Sequence, residues 1–364
     1  MELPKTDVNA RMEVFYNPVM VSNRNISVLF LNSIANRNLK IALPLAGSGI
    51  RGLRFLKELK KGKIKQLDVN DHKENFETVF KINMDLSKVK PTKKVNIYHK
   101  DASLFLLQQD GYDYIDLDPF GSPNPFIAST VARISRRGVI AVTATDTAAL
   151  TGTYPKVTKR KYWAKNLRNY LMHEIGLRIL IRKIQLQGIQ FDKALQPMLA
   201  YHKDHYFRIY FKTEKGKEKC DEIIKNHQYL LFNDSTGEYK ISEYNREDDF
   251  IYLGPLWVGE LVERKLIKKM VSINPFSEEK KFLELLLEES SMNTVGFYDL
   301  HAIGKKNNIC PLKMRGILQK LKGAHTHFSP TGIKTKESFT RLLQVMNNGA
   351  GKRQGKKIKQ NNCQ

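Results

Sequence analysis

Between Ile41 and Thr145 the chain repeats one pattern: a short apolar run, a turn holding glycines or an acid, then a stretch of helical spacing. The runs are Ile41–Ala46, Leu67–Asp71, Val95–His99, Tyr114–Leu117 and Gly138–Thr145. Runs this short, β-branched and aromatic, read as buried strands. Helices between them carry the chain back to the same edge, so successive strands must lie parallel in a doubly wound α/β sheet. Met198–Tyr201 and Tyr206–Phe211, flanking Lys203-Asp204-His205, differ: a tight turn between two apolar runs predicts an antiparallel hairpin that ends the sheet.

In such a sheet ligands bind beyond the carboxyl ends of the strands, and here those ends carry chemistry. The first runs into Gly47-Ser48-Gly49-Ile50-Arg51-Gly52, a G-x-G-x-x-G loop ahead of a helix. Gly47 and Gly49 let backbone approach a cofactor, and the helix N-terminus favours its anionic part. Asp71 ends the second strand, suited to ribose hydroxyls. Asp101-Ala102 follows the third; Asp101 can meet an exocyclic amine or simply cap the next helix. This set suits a nicotinamide cofactor or S-adenosylmethionine equally. The fourth strand ends in Asp118-Pro119-Phe120-Gly121-Ser122-Pro123. A carboxylate, a rigid proline carbonyl and an aromatic ring together suit a flat heteroaromatic amine: Asp118 and Pro119 accept its N–H bonds while Phe120 stacks. The plainer reading is a proline-rich turn with Asp118 as a helix cap. Arg24, ahead of the apolar run Val28–Leu31, reads on its own as a surface base.

The net charge of +24 calls for a polyanionic partner. Residues 151–183 hold nine Lys and Arg against one acid, Glu174, with Tyr154, Tyr162, Trp163 and Tyr170 interleaved. Bases among aromatics suit a phosphate backbone with unstacked nucleotides, although a charge run is also what a solvated face looks like. No apolar run reaches the roughly 20 residues that span a bilayer, and Met1–Arg11 has no apolar signal core, so a cytoplasmic protein is expected. Three scattered cysteines, Cys220, Cys310 and Cys363, agree with a reducing compartment. Beyond Gly254-Pro255-Leu256-Trp257 come helical patterns at 258–270, 279–289, 297–303 and 311–322, a small domain of winged-helix type. Residues 347–364, with five bases and no acid, read as a disordered basic tail.

Several of these blocks recur together in one family. Phe15-Tyr16-Asn17-Pro18, Asn23-Arg24, Gly49-Ile50-Arg51-Gly52, the Asp118–Pro123 block, His173-Glu174 with Gly176-Leu177-Arg178, Gly254–Trp257 and Thr326-His327-Phe328 resemble, in this order, the tRNA guanine-26 N2-dimethyltransferases in their archaeal single-chain form. The resemblance runs from about residue 12 to about 340. It implies a class I methyltransferase domain with a Rossmann-like sheet over 1–254, and a smaller C-terminal α+β domain over 255–346 that helps hold tRNA. It implies S-adenosylmethionine as cofactor, bound by Arg24, Arg51, Asp71, Asp101 and Ala102, with Asp118 catalytic beside Pro119 and Phe120. No obligate protein partner is implied. Many relatives carry a four-cysteine zinc cluster before the Gly-Pro-Leu-Trp block. Here only Cys220 lies in that region, too few for a four-ligand structural site, so no metal is expected. Two other readings remain: an NAD-dependent oxidoreductase, which leaves the Asp118 block and the charge unexplained, and a non-catalytic RNA-binding protein, for which Asp118 and the glycine loop would be superfluous. An N2-guanine methyltransferase acting at another RNA site is a third.

Overall fold

A computed structural model describes residues 16–309 and 313–347. Phe15, Cys310, Cys363 and residues 348–364 of the expected tail lie outside the described residues.

The main sheet has seven strands: β1 (Leu39–Leu43), β2 (Ile64–Asn70), β3 (Val95–Tyr98), β4 (Tyr112–Leu117), β5 (Ile134–Ala144), β6 (Lys193–Lys203) and β7 (Tyr206–Lys215). Their order is β3-β2-β1-β4-β5-β7-β6. β1 to β5 are parallel, and β7 lies antiparallel between β5 and β6. The fold is thus α/β, a mostly parallel sheet closed by an antiparallel hairpin, as expected. The helices that cover it are α1 (Val21–Ser33), α2 (Ile50–Glu58), α3 (Phe76–Leu86), α4 (Ala102–Leu107), α5 (Ile127–Arg133), α6 (Thr147–Leu150), α7 (Pro155–Tyr162), α8 (Met172–Ile189) and α9 (Lys217–Lys225). The order reverses at β1 and β4, where a crevice opens at their carboxyl ends.

Alternation along the central strands divides the core in two. Ile115, Leu117, Ile140 and Val142 face α5 and α8. Tyr114, Val139 and Ala141 point the other way, into a core shared with α1, α2 and α3. β1 is shorter than the apolar run suggests. Pro44, which lacks an N–H, ends the ladder at Leu43, and Leu45 and Ala46 become part of the crevice wall.

A second sheet, β10-β8-β9, is built from β8 (His227–Phe232), β9 (Tyr239–Ser242) and β10 (Ile251–Trp257). The sequence shows the first of these but not the others. β10 runs straight through the expected boundary at 254. Helices α10 (Arg264–Ile273) and α11 (Lys280–Glu289) then place Leu266, Ile267, Met270, Leu283 and Leu286 in the same core as α1 and β1. The remainder is β11 (Tyr298–Asp299), α12 (Leu300–Lys306), α13 (Met314–Leu321), β12 (Ala324–Thr326), β13 (Ser329–Lys334) and α14 (Phe339–Asn347), with its own core. With α11 ahead of it, and with sheet order β11-β13-β12, this is the winged-helix succession of helix, strand, two helices and hairpin.

A buried charge network joins the two parts. Glu174 of α8 is fully buried and accepts from Arg178 Nε (2.9 Å), Lys334 Nζ (2.9 and 3.0 Å) and the Gly296 N–H (2.8 Å). Burial alone would push the Glu174 carboxyl up, but Lys334 and Arg178 outweigh it and hold the pKa below the ordinary value. Arg178 also donates to the carbonyls of Trp257 (3.0 Å) and Gly259 (2.9 Å). Glu289 accepts from Thr326 Oγ1 (2.8 Å) and pairs with His327 Nδ1 (2.5 Å). The His173-Glu174-Arg178, Gly254–Trp257 and Thr326–Phe328 blocks are therefore the joint between the parts, not its reactive surface. A buried charge without its partner costs several kcal/mol, which is reason enough for these residues to occur as a set.

Candidate active site

One cavity dominates the carboxyl edge of the sheet, with a volume of about 550 Å³. Its floor is the glycine loop after β1, one wall is the Asp118–Gly121 turn after β4, and Thr145-Asp146 after β5 adjoins that turn. Tyr16, Asn17, Val19 and Met20 cross its mouth ahead of α1, while His205 and Tyr206 reach it from the β6–β7 turn. Of the residues to which the sequence points, Asp118, Pro119, Phe120, Arg24, Gly47 and Arg51 all line this cavity.

Asp118 does not cap a helix. Its Oδ2 accepts from Arg51 Nη2 at 2.5 Å. The same Nη2 donates to Asn23 Oδ1 (2.8 Å), and Arg51 Nη1 donates to Ser27 Oγ (2.6 Å) and lies 3.5 Å from Asp116 Oδ2. Asp116 is fully buried and is held by a second arginine, Arg208 of β7, through Nη1 to Oδ1 (2.9 Å) and Nη2 to Oδ2 (2.7 Å). Arg208, Asp116, Arg51 and Asp118 thus alternate in sign from the sheet interior to the cavity surface. Desolvation would push the Arg51 guanidinium down, yet Asp116 and Asp118 together raise it above its ordinary value. The Asp118 turn is also pinned laterally: Gly121 N–H donates to Thr145 Oγ1 (2.7 Å), and Thr145 N–H donates to the Gly121 carbonyl (2.9 Å). Phe120 stands out from this framework with 59 % of its surface exposed.

Arg24 departs from its sequence reading as a surface base: α1 turns it inward and leaves it 6 % exposed. It donates to the Asn17 carbonyl (3.1 Å) and to the Tyr16 hydroxyl (3.4 Å), with no carboxylate at ion-pair distance among the described residues. Burial lowers its pKa. A guanidinium in a cavity wall whose hydrogen-bond partners are neutral can receive an anionic group.

The remaining expected cofactor residues follow the carboxyl ends of β1, β2 and β3. Asp71, 6 % exposed, stands just past β2, and its Oδ2 accepts the Gly47 N–H at 2.8 Å, which ties acid to loop. Gly49 has φ +74°, and a Cβ there would stand 2.1 Å from the Phe80 ring, so packing against α3 as well as backbone geometry requires glycine at this position. Asp101 caps α4, accepting the Ser103 and Leu104 N–H groups (2.9 and 3.0 Å), and Ala102 is buried behind it. Gly49, Asp71, Asp101 and Ala102 do not line the cavity itself.

Asp116 and Arg208 are absent from the sequence reading, though the sequence holds a signal for both. Asp116 sits inside the apolar run Tyr114–Leu117, and Arg208 inside Tyr206–Phe211. A charge within a buried strand needs a partner, and two such charges of opposite sign supply one another. In the basic segment, six of the nine bases (Lys156, Lys159, Arg160, Lys161, Lys165 and Arg168) are exposed. The other three differ from a simple basic face: Arg178 and Lys183 are buried and Arg182 is half-buried. Among the described residues no group of His, Cys, Asp and Glu is arranged to hold a metal, and no helix is long and apolar enough to cross a membrane.

Comparison with known proteins agrees with this geometry over more than nine-tenths of the chain. The family model for N2,N2-dimethylguanosine tRNA methyltransferases matches residues 1–347. A tRNA (guanine(26)-N(2)/guanine(27)-N(2))-dimethyltransferase from Aquifex aeolicus is 37 % identical over 95 % of this chain and 92 % of its own. A tRNA (guanine(26)-N(2))-dimethyltransferase from Pyrococcus furiosus is 36 % identical over 94 % and 95 %. The structure of Trm1 from Pyrococcus horikoshii in complex with S-adenosyl-L-methionine superposes with a TM-score of 0.84 at 34 % identity, covering 93 % of this chain and 96 % of that one. With its sheet order, its Asp-Pro-Phe turn and matches that cover more than nine-tenths of its length, the chain belongs to the N2,N2-dimethylguanosine tRNA methyltransferase family.

Proposed function

We propose that the chain transfers methyl groups from S-adenosylmethionine to the exocyclic N2 of guanine 26 in tRNA, first one and then a second. The observation that carries this reading is the meeting of two groups in one cavity. One is Asp118, locked by Arg51 and flanked by Pro119 and Phe120. The other is the guanidinium of Arg24, whose partners among the described residues are neutral.

The residues present fit the cofactor. Arg24 takes a carboxylate, the Gly47–Gly49 loop admits the main body, and Asp71 with Asp101-Ala102 receives the nucleoside end. Arg51 contributes from the cavity wall while holding Asp118. Bound there, S-adenosylmethionine supplies a methyl group on a sulfonium, which keeps its bonding electron pair on sulfur as the N2–C bond forms.

The lone pair of the guanine amine is delocalised into the ring, so the amine is a weak nucleophile. In the first transfer Asp118 and the Pro119 carbonyl accept its two N–H bonds, and in the second one of them accepts the single N–H that is left; either arrangement favours a pyramidal nitrogen with the lone pair free to attack. Arg51 fixes the direction of the Asp118 carboxylate. The extra proton leaves N2 after transfer, with the Asp118 carboxylate as its acceptor. Phe120 stacks on the base, worth about 1–3 kcal/mol. Orienting the amine toward the methyl group supplies much of the remaining rate. A guanine within folded tRNA must first be splayed out, at a cost of a few kcal/mol, and the exposed bases, set against phosphates, offset that cost. The C-terminal part, from β11 to α14, helps hold the tRNA, no obligate protein partner is required, and the enzyme works in the cytoplasm beside its substrate.

The direct test is incubation with labelled S-adenosylmethionine and tRNA transcripts carrying guanine or adenine at position 26. Label in N2-methylguanosine and N2,N2-dimethylguanosine is expected only with guanine. Label elsewhere, or none, rejects the reading.

The exposed bases of α7 make a separate prediction. Replacing Lys156, Lys159 and Arg160 with Gln is expected to weaken tRNA binding and to lower the slope of log affinity against log salt by about 1 for each phosphate no longer neutralised. Filter binding over a salt series measures this; an unchanged slope would leave that helix merely solvated.

A further inference from the structure

We propose that Asp146 is the residue that reads the base as guanine, its carboxylate accepting the ring N1–H while Asp118 faces the amine. The inference rests on the reading of this cavity as a guanine N2 site and names how the base is selected there.

Asp146 follows β5 and lines the same cavity as Asp118, Pro119 and Phe120. The two hydrogen bonds between Thr145 and Gly121 make the end of β5 and the Asp118 turn one rigid unit. Within it the two oxygens of Asp146 are unequal. Oδ2 accepts the Tyr162 hydroxyl at 2.6 Å, and Lys161 Nζ lies 3.7 Å away. Tyr162 is itself fully buried and bonded to Ser122 Oγ (3.0 Å), so this side of the carboxylate is held. Oδ1 is buried and has no donor among the described residues. Asp146 occupies the N-cap position of α6, but its side chain makes no capping bond, so helix capping does not account for it.

A buried carboxylate oxygen without a donor is costly, and in a cavity wall the missing donor can arrive with the ligand. The terminal torsion of an aspartate is soft, so a small rotation about it presents Oδ1 to the cavity. Guanine carries adjacent donors on one edge, N1–H and the N2 amine. A base whose amine is held by Asp118 and Pro119, stacked on Phe120, therefore brings a second N–H along the same wall. Adenine has an unprotonated N1 at that position. Its lone pair would face the carboxylate, leaving both acceptors unpaired, a mismatch that hydrogen-bonding sites reject strongly.

The test uses tRNA with guanine or 2-aminopurine at position 26, since 2-aminopurine keeps the N2 amine but lacks N1–H. Wild-type enzyme is expected to methylate guanine with kcat/KM about 100-fold or more above 2-aminopurine. Asp146→Asn still accepts the Tyr162 hydroxyl and can donate its amide N–H to the bare N1. It is expected to lower kcat/KM on guanine about 100-fold and to shrink the preference for guanine at least tenfold. A wild-type enzyme that methylates both bases equally overturns the proposal, whether or not the variant folds. So does an active variant with an undiminished preference. Wild-type protein that methylates neither base overturns the N2-methyltransferase reading and this proposal with it.

Discussion

Asp118→Ala is expected to cut turnover about 10³-fold, mid-range for a positioned group acting on the reacting atoms, while tRNA and cofactor affinities stay within a few-fold. The asymmetry follows from what Asp118 touches. Its one strong partner among the described residues is Arg51, at 2.5 Å, and Arg51 keeps Asp116, Asn23 and Ser27 when Asp118 is removed. The turn itself remains tied to Thr145. Phosphate contacts dominate affinity for nucleic acid, and the Asp118–Pro123 turn carries no Lys or Arg to make them. Asp118→Asn keeps an acceptor for the amine and for Arg51. It should retain more activity than Ala if orientation is the task, and no more if negative charge is. Phe120→Ala should lose the stacking contribution, whereas Phe120→Tyr keeps a ring and should be tolerated. Single-turnover methylation at saturating cofactor separates these effects from product release. Wild-type turnover by Asp118→Ala would remove this turn from the active site.

Most of the sheet is legible in the sequence because each strand is an apolar run and each crossover has helical spacing. Those signals are local. The same holds for Asp118, Pro119 and Phe120, which are consecutive in the chain and therefore consecutive in the cavity. Arg24 shows where local reading stops: nothing beside it in sequence reveals that α1 turns it toward β1 and β4. Asp116 and Arg208 lie 92 residues apart, and only the pairing of β5 with β7 brings their strands near one another. β9 and β10 escape local reading for a similar reason. Their partners in the ladder come from β8, and Gly254-Pro255 inside β10 reads locally as a break. The joint at Glu174, Arg178 and Lys334 illustrates the converse. Its motifs are easy to recognise as a set, but their chemistry turns out to be structural, since Glu174 and Arg178 are both buried against main-chain groups of the C-terminal part.

Arg208→Met should cost about 3–5 kcal/mol of stability at pH 7, because it strands a buried carboxylate rather than merely removing a hydrogen bond. Asp116 is fully buried and receives two bonds from Arg208; what remains without them is the neutral Tyr114 hydroxyl at 2.7 Å and Arg51, which approaches at 3.5 Å while serving Asp118 at the same time. The pH dependence follows from the sign of the shift. In the native protein burial alone would push the Asp116 carboxyl up, and Arg208 and then Arg51 outweigh it, so the folded pKa lies below the ordinary value of 3.8. A depressed carboxylate stabilises the fold above its unfolded pKa, and that contribution is lost only as the pH falls through the folded value. Without Arg208 the cost of desolvation is no longer balanced, and the folded pKa moves up past the unfolded one. The carboxylate then destabilises the variant at neutral pH, and the deficit shrinks as acid protonates it. Chemical unfolding of both proteins at pH 7 and at about pH 4.5 measures the two differences. The loss at the lower pH should be the smaller, and Arg208→Lys, which keeps a charge without the two-pronged geometry, should recover part of it. Equal losses at the two pH values would mean that Arg208 supports the sheet by packing, with no charge partnership behind Asp118.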